Sequence, residues 1–309
     1  MHESNDKPTV VVCLAAFNGR RWLPEQLASI LAQTGVTVTV VISVDQSNDG
    51  TEAWCDRAAT ADDHIRILPH GEHFGGASRN FFRLLRDVDL SKFDYISFAD
   101  QDDIWLPHKL AQAHATLLKA NADAYSSNVI TFWPDNRQII INKAQPQVHW
   151  DFLFEAAGPG CTYVFKKELA CALQLMVKQN WPALQKVGLH DWFFYAFARA
   201  NGYRWVIDHH AGMLYRQHDN NQVGINAGLP AFMRRARKVI DGWGFRQTAL
   251  IAQMLGLGEH TFVQRWSTGR RIGFLSLARH ARQCRRRPRD QLLFALSCVA
   301  FFLKGLPPE

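Results

Sequence analysis

Three carboxylates stand within four positions of the segment Asp100-Gln101-Asp102-Asp103. Like charges this close resist joint ionisation, so the segment is unfavourable unless something compensates it. A divalent cation would do so, and hard carboxylate oxygens suit Mg²⁺ or Mn²⁺ better than Zn²⁺, which prefers His and Cys. The local sequence leaves one alternative open, an acidic turn that merely connects a strand to a helix.

The elements around this acidic segment favour a binding site. The apolar run from Tyr95 to Phe98 comes directly before it and predicts a buried strand. Pro107 follows it and predicts the first position of a helix. The carboxylates would then lie at the carboxyl end of a strand, where open α/β sheets bind ligands.

Strands alternate with helices over about the first 120 residues, which predicts an α/β fold. Continuous apolar runs at residues 9–17, 36–44 and 65–68 indicate buried strands, and helical patterns separate them. We expect a Rossmann-like, mostly parallel sheet with helices on both faces. In the later part of the chain, the sequence predicts a helix at 167–179. It predicts strands at 122–132, 138–142, 161–165, 205–207 and 211–215.

Composition predicts where the protein acts. The six cysteines show no paired spacing, which indicates reduced core residues (Cys13, Cys55, Cys161, Cys171, Cys284 and Cys298). We find neither a signal-peptide pattern nor the roughly 18 consecutive apolar residues of a membrane span. We therefore expect a cytoplasmic protein, with the inner face of the cell membrane as a second expected location.

The charge is divided unequally along the chain. From Ala231 onward there are 15 Lys and Arg against 4 Asp and Glu, a net charge of +11, whereas residues 1–230 carry −4. We expect a catalytic domain at residues 1–229 and a basic, helical extension at residues 230–309. Five arginines between 282 and 289, both included, precede an apolar run at 292–303, which predicts a helix in the interface of an anionic membrane.

The basic tail has two alternative roles. It could be a helical bundle that packs on the catalytic domain. It could also bind nucleic acid, but nucleic-acid binding would not account for three acidic residues at a strand end, because they repel phosphate unless a metal is present. We therefore expect no nucleic-acid partner.

Four segments occur in order along the chain, each at a predicted strand end or helix start: Ala16-Phe17-Asn18-Gly19, Val44 to Thr51, Phe98 to Trp105, and His190-Asp191-Trp192-Phe193. Together they resemble family-2 glycosyltransferases of the GT-A fold, in particular the bacterial branch that includes O-antigen rhamnosyltransferases. The resemblance spans about residues 9 to 225. It implies an inverting transfer from a nucleotide-diphosphate sugar, dTDP-rhamnose or a UDP-sugar, to a saccharide or polyprenyl-diphosphate-linked acceptor in cell-surface polysaccharide synthesis.

The resemblance also assigns roles to individual residues. Asp191 would be the general base, with His190 as a second choice, and Asp45 would bind the nucleotide base, although Gln46 departs from the family's second Asp. Mg²⁺ or Mn²⁺ would be held by Asp102 and His218, and Gly160 and His190 would form the floor between donor and acceptor. The nucleotide sugar would be contacted by Ala16, Asn18, Asp45, Gly76, Asn80, Asp100 and Gln101.

Two alternatives to this enzyme compete on the sequence. A catalytically inactive GT-A-like scaffold is one, although Asp45, Asp102 and Asp191 are all present. A nucleotidyltransferase on the same sheet is the other. It would need a basic triphosphate loop near the first strand, for which Arg20 and Arg21 are weak candidates.

Overall fold

The computed structural model describes residues 7–218 and 241–307, which divide into two compact units. The first unit contains residues 7–144, 158–191 and 201–218, and the second contains residues 145–157, 192–200 and 241–307. The predicted domain boundary between residues 229 and 230 lies outside the described residues and stays a prediction. The second unit also takes in two segments, 145–157 and 192–200, from within the predicted catalytic domain.

The described part of the chain forms nine strands and thirteen α-helices. The strands are β1 Thr9–Ala16, β2 Thr37–Val44, β3 Ile65–Ile67, β4 Tyr95–Asp100, β5 Ile104–Trp105, β6 Ala124–Phe132, β7 Gln138–Ile141, β8 Val164–Lys166 and β9 Trp205–Arg216. The helices are α1 Leu23–Leu31, α2 Thr51–Ala61, α3 Ala77–Asp87, α4 Lys109–Lys119, α5 Asp151–Phe154, α6 Lys167–Gln179, α7 Trp181–Leu184, α8 His190–Ala200, α9 Trp243–Met254, α10 Thr261–Ser267, α11 Arg271–Arg279, α12 Ala281–Cys284 and α13 Pro288–Lys304.

All nine strands belong to one sheet in the first unit, in the order β3-β2-β1-β4-β8-β6-β9-β5, with β7 also paired to β6. Strands β3, β2, β1 and β4 are parallel, and β8 continues the sheet antiparallel to β4. This confirms the predicted α/β class and mostly parallel sheet. Because β1, β2 and β4 are parallel, their carboxyl ends meet at one edge of the sheet.

Both faces of the central strand β1 are buried, as its continuous apolar sequence predicts. Leu14 and Ala16 pack in one core cluster with Leu23 and Leu27 of α1. Cys13 points to the opposite face of the strand and is also fully buried. All six cysteines are unpaired and five are buried, as expected for core residues, whereas Cys171 is exposed.

Two predicted strands differ in the structure. The predicted strand at residues 161–165 begins only at Val164, because Gly160–Thr162 forms a 3₁₀ turn before it. The strands predicted at 205–207 and 211–215 are one strand, β9, which is interrupted by a shift in its register with β6. Hydrogen bonds from Asn128 Nδ2 to the His209 carbonyl oxygen (2.9 Å) and from His210 N to Asp208 Oδ1 (3.0 Å) satisfy the backbone at this irregularity.

Helices and loops make up the described residues of the second unit, in agreement with the helices predicted for the tail. Its core contains a buried polar cluster around Asp151, which accepts hydrogen bonds from Tyr195 Oη (2.8 Å) and Arg199 Nη1 (3.1 Å). Arg286 Nε lies 3.8 Å from the same carboxylate. Burial raises the pKa of Asp151, and the two arginines oppose that shift. Within 7–218 and 241–307, no helix combines the length and apolar character needed to cross a bilayer.

Candidate active site

The loops after β1 and β2 are joined by hydrogen bonds. Asn18 N donates to Ser47 Oγ (3.0 Å), and Asn18 Oδ1 accepts from Asn48 N (2.9 Å). Arg20 N donates to Asp49 Oδ2 (3.0 Å). Burial raises the pKa of Asp49, but hydrogen bonds from Thr51 Oγ1, Arg20 N and Thr51 N outweigh burial and lower it overall. Asn18 therefore shapes the turn at this edge, with a φ of +46° that Asn tolerates better than most residues.

Asp45 directly follows β2 and is buried. Its carboxylate accepts hydrogen bonds from Phe74 N (2.8 Å), Gly75 N (2.9 Å) and Gln46 N (2.9 Å), and His73 Nδ1 lies 3.3 Å from Oδ1. A carboxylate has about four lone-pair sites, so this one is largely occupied by the loop before α3. The structure thus gives Asp45 a role in ordering that loop, and its contact with a nucleotide base stays a prediction.

Asn80 ties together the ends of β1 and β2. Its Nδ2 donates to the Ser43 carbonyl oxygen (3.0 Å) and, more weakly, to that of Ala16 (3.4 Å). Asn80 and Ala16 are both buried, and Gly76 caps the start of α3 by accepting from Asn80 N (3.2 Å). Gly76, Asn80 and Ala16 were all predicted to contact the nucleotide. In the structure, Asn80 and Ala16 are buried and take part in the hydrogen bonds that join the ends of β1 and β2.

Gln101 bridges the acidic segment and the end of β1. Its Oε1 accepts from Phe17 N (2.8 Å) and its Nε2 donates to the Phe17 carbonyl oxygen (2.9 Å). A Cβ atom on Gly19 would lie 2.1 Å from Gln101 Oε1, so the bridge requires glycine there. Gln101 therefore fixes the spacing between the β1 loop and the acidic segment.

The end of β9 closes on the acidic segment. His218 Nε2 lies 2.7 Å from Asp102 Oδ2, and the imidazole ring stacks on Trp22 with 5.5 Å between ring centroids. Arg216 donates from Nε to the Asp102 carbonyl oxygen (2.8 Å) and from its backbone N to Asp103 Oδ1 (3.2 Å). The structure thus brings together Asp102 and His218, the two predicted metal ligands.

Asp100 and Asp103 lie deeper, with the Cys161 thiol beside them. The ligand atoms of these three residues lie within 4.8 Å of one another. Burial and the neighbouring Asp102 raise the pKa of Asp100 to about 7 and that of Asp103 well above its usual value. Burial also raises the pKa of Cys161, so it stays a thiol, which is a poor ligand for Mg²⁺ or Mn²⁺.

Lys109 is a buried cation behind the acidic segment. Its Nζ lies 3.3 Å from the centroid of the Trp105 ring and has no hydrogen-bond acceptor among residues 7–218 and 241–307. Burial lowers the pKa of Lys109 to about 7, and the nearby Cys161 and Asp103 oppose that shift. The acidic segment therefore has on its inner side an amine that is only partly protonated near pH 7.

The 3₁₀ turn at Gly160 and the start of α8 bring His190 and Asp191 to the same edge. The His190 ring stacks on Phe81, with 4.1 Å between centroids, and burial lowers its pKa to about 3. His190 is therefore neutral at physiological pH and packs against Phe81. Asp191 contributes to the raised pKa of Asp100, so its carboxylate lies within electrostatic reach of the acidic segment.

With this geometry, comparison with known proteins decides the family. The Glycosyl transferase family 2 profile matches residues 11–161. Over 287 residues the chain is 42% identical to the dTDP-rhamnosyl transferase RfbG of Shigella flexneri, a match that covers 93% of this chain and 99% of RfbG. The chain belongs to glycosyltransferase family 2. The resemblance inferred from the four sequence segments is therefore confirmed.

Solved structures support the fold of this family-2 glycosyltransferase. The S. aureus TarS 1–349 structure in complex with UDP gives a TM-score of 0.57 at 14% identity and covers 95% of this chain and 88% of that one. The mannosyltransferase PcManGT of Pyrobaculum calidifontis, in complex with GDP-Man and Mn²⁺, gives 0.53 at 17% identity and covers 97% and 88%. At these identities the likeness shows the fold alone, and it confirms the predicted GT-A class.

Arg216 also lies at the candidate site of this glycosyltransferase, although the sequence did not predict it there. Besides its bonds to the acidic segment, its guanidinium pairs with Glu25 and lies 4.6 Å from the centroid of the Trp22 ring. A sequence signal was present, because Arg216 and His218 are two positions apart at a strand end, a spacing that places side chains on one side of an extended chain.

Proposed function

We propose that this glycosyltransferase transfers rhamnose from dTDP-rhamnose, with inversion at the anomeric carbon, to a saccharide or polyprenyl-diphosphate-linked acceptor of a cell-surface polysaccharide. The proposal rests on one observation: the acidic segment, His218 and Asp191 lie close together at one edge of the sheet. The RfbG relative, 42% identical over nearly all of both chains, supports the choice of donor.

The donor set at this edge fits Mg²⁺ or Mn²⁺. Asp102 Oδ2 and His218 Nε2 lie 2.7 Å apart, at hydrogen-bonding distance, so a cation held by both would take the place of the proton between them. Asp103 Oδ2 is buried and has no hydrogen-bond partner among the described residues, so a cation bound nearby would stabilise the ionised form of this carboxyl group. A bound cation would offset the charge that develops on the departing nucleoside diphosphate.

Asp191 would remove the proton in the transfer step. Inversion is a single displacement, in which the acceptor oxygen attacks the anomeric carbon as the bond to the diphosphate oxygen breaks. The attacking hydroxyl loses its proton to the Asp191 carboxylate, and the nucleoside diphosphate leaves. The packing of His190 supports Asp191 as the base, because the His190 ring is buried and stacked on Phe81.

The nucleotide would lie along the loops after β1 and β2. The hydrogen bonds of Asn18 and Gln101 hold these loops at fixed spacing from the acidic segment. Asp45 orders the loop at residues 73–75, whose backbone lies beside the nucleotide in this arrangement. Since Gln46 replaces the second Asp of the family pattern, Asp45 would recognise a pyrimidine base without a neighbouring carboxylate.

Calorimetric titration of the full-length chain tests this proposal. dTDP and UDP are titrated into wild type and Asp102→Ala, with Mn²⁺ and after chelation with EDTA. An Asp63→Ala variant, which removes an exposed carboxylate between α2 and β3, serves as the matched control. We expect dTDP to bind more tightly than UDP, and Asp102→Ala or EDTA to weaken binding at least tenfold.

Three outcomes would contradict parts of the proposal. Equal binding with and without Mn²⁺ would exclude a metal at the acidic segment. Tighter binding of UDP would overturn the choice of donor. If neither nucleotide binds wild type or the Asp63→Ala control, the transfer activity itself is refuted. Incubation of dTDP-rhamnose with lipid extract from the source organism, followed by analysis of the anomeric configuration, tests acceptor and stereochemistry.

A further inference from the structure

Helix α13 has two apolar faces, and only one of them is covered. Phe294, Cys298 and Phe301 point inward, where Cys298 is fully buried. The inward rings pack in an aromatic cluster, with centroids of Phe245 and Phe301 5.2 Å apart and those of Phe274 and Phe301 5.5 Å apart. This packing fixes the rotation of α13 about its axis.

The opposite face of α13 is apolar and exposed. Leu292, Leu296, Val299 and Leu303 recur at intervals of three or four residues, so they line one side of the helix. Their exposed fractions are 61%, 57%, 38% and 65%. We call these four residues the apolar stripe, and at 1.5 Å per residue it is about 17 Å long.

The surroundings of the apolar stripe are unusual for a surface that faces water. No charged residue occurs between Gln291 and Leu303, whereas the outer face of a surface helix in a globular protein is normally charged or polar. Large exposed apolar patches of this kind mark interaction sites. The stripe therefore indicates an apolar occupant or environment.

Positive side chains stand at both ends of the stripe. Arg289 is exposed near the start of α13, and Lys304 is exposed at its last position. Arg271 of α11 is exposed beside Lys304, since its Nη2 lies 3.5 Å from the Lys304 carbonyl oxygen. Ile272, next to Arg271, is 66% exposed and adds to the apolar surface.

We propose that the apolar stripe of α13, with Arg289, Arg271 and Lys304 at its ends, is a docking surface for an anionic lipid bilayer. The helix would lie in the plane of the interface, with the stripe among the upper acyl chains and the cations at the phosphate level. The charge pattern selects this occupant, because a second copy of the same positive surface would be repelled. The proposal goes beyond sugar transfer and requires no assumption about the donor.

Vesicle co-sedimentation of the full-length chain tests the docking surface. The vesicles contain phosphatidylcholine alone or phosphatidylcholine with phosphatidylglycerol, and the variant is Leu296→Ser. Leu118→Ser is the matched control, because Leu118 of α4 is 58% exposed, against 57% for Leu296. We expect binding to anionic vesicles that weakens about tenfold in Leu296→Ser and is unchanged in Leu118→Ser.

The charged ends give a second, independent test. Arg289→Ser should weaken binding to anionic vesicles about fivefold, and added salt should weaken the binding of wild type. A thermal melt of each variant establishes that it is folded, and Leu303→Ser replaces any variant that is not. Equal binding by Leu296→Ser and wild type would overturn the proposal, as would equal binding to neutral and anionic vesicles. A lipid-free dimer that Leu296→Ser dissociates in light scattering would assign the stripe to a second copy instead.

Discussion

Gly160→Ala is the sharpest test of the placement of the proposed general base. A Cβ atom at this position would lie 2.5 Å from His190 Nε2 and 3.2 Å from Asp191 Cβ. Ordinary contacts begin near 3.4 Å, so the start of α8 must move by about 0.9 Å. The His190 ring has little room to retreat, because it is stacked on Phe81 at 4.1 Å.

The expected cost follows from this displacement. A misplacement of about 1 Å can slow a reaction roughly hundredfold, which corresponds to about 2.7 kcal/mol of activation free energy. We expect kcat of Gly160→Ala to fall by about this factor. The dissociation constant for dTDP should stay within about twofold, because the nucleotide loops after β1 and β2 are untouched.

The assay is transfer of labelled sugar to lipid extract, combined with the calorimetric titration of dTDP. Gly258→Ala is the control, since a Cβ atom there would meet no atom within 4 Å. If Gly160→Ala keeps the wild-type kcat while it remains folded, Asp191 is not the base whose position the 3₁₀ turn fixes. If kcat and nucleotide binding fall together, the substitution has disturbed the whole edge and the reasoning is also refuted.

Three further predictions concern stability, each checked by urea denaturation. Burial lowers the pKa of His190 from 6.5 to about 3, so the unfolded chain binds the extra proton as pH falls below 6.5. Because Asp100 and Asp103 titrate in the opposite sense, the effect of His190 is a difference between variants: wild type should lose roughly 2 kcal/mol relative to His190→Phe between pH 8 and pH 5. Asn80→Ala should cost about 1–3 kcal/mol, because it removes the hydrogen bonds that join β1 and β2; an unchanged midpoint would contradict this. Asp151→Ala should cost about 3–5 kcal/mol, since it removes the buried carboxylate that Tyr195 and Arg199 hydrogen-bond, whereas a loss under about 1 kcal/mol would show that Glu155, 3.4 Å from Arg286, compensates the buried positive charge.

Much of the fold followed from local sequence patterns. The runs that form β1, β2 and β4 are continuously apolar, which is what burial on both faces of a parallel sheet requires. The long strand β9 was divided in prediction, because His209 and His210 interrupt its apolar pattern. The His209 carbonyl oxygen accepts a hydrogen bond from Asn128, and His210 N donates one to Asp208. Local sequence patterns do not indicate the contact with Asn128, which is 81 positions away.

The candidate site could be predicted from the sequence less completely than the fold. Residue types and position at a strand end pointed to the acidic segment around Asp102, whereas the roles of His218 and Asp191 came from the resemblance to family-2 glycosyltransferases. The sequence could not reveal that Asp45 is occupied by the loop at residues 73–75 or that Gln101 binds the backbone of Phe17. A side chain whose partner is a backbone group leaves no pattern in residue type, so such supporting roles emerge only from coordinates.

The contact between Asp102 and His218 also has a consequence for biosynthesis. The two residues are 116 positions apart. At about 5–20 residues per second, a ribosome needs roughly 6–23 s to add the second after the first. During that interval the nascent chain contains the acidic segment but not all of β9. Strand β9 pairs with β5 through Ile104 and Leu214 and so closes this edge of the sheet. Under the proposed function, the site that Asp102 and His218 form is therefore completed late in synthesis, and an incomplete chain would lack it until the sheet is finished.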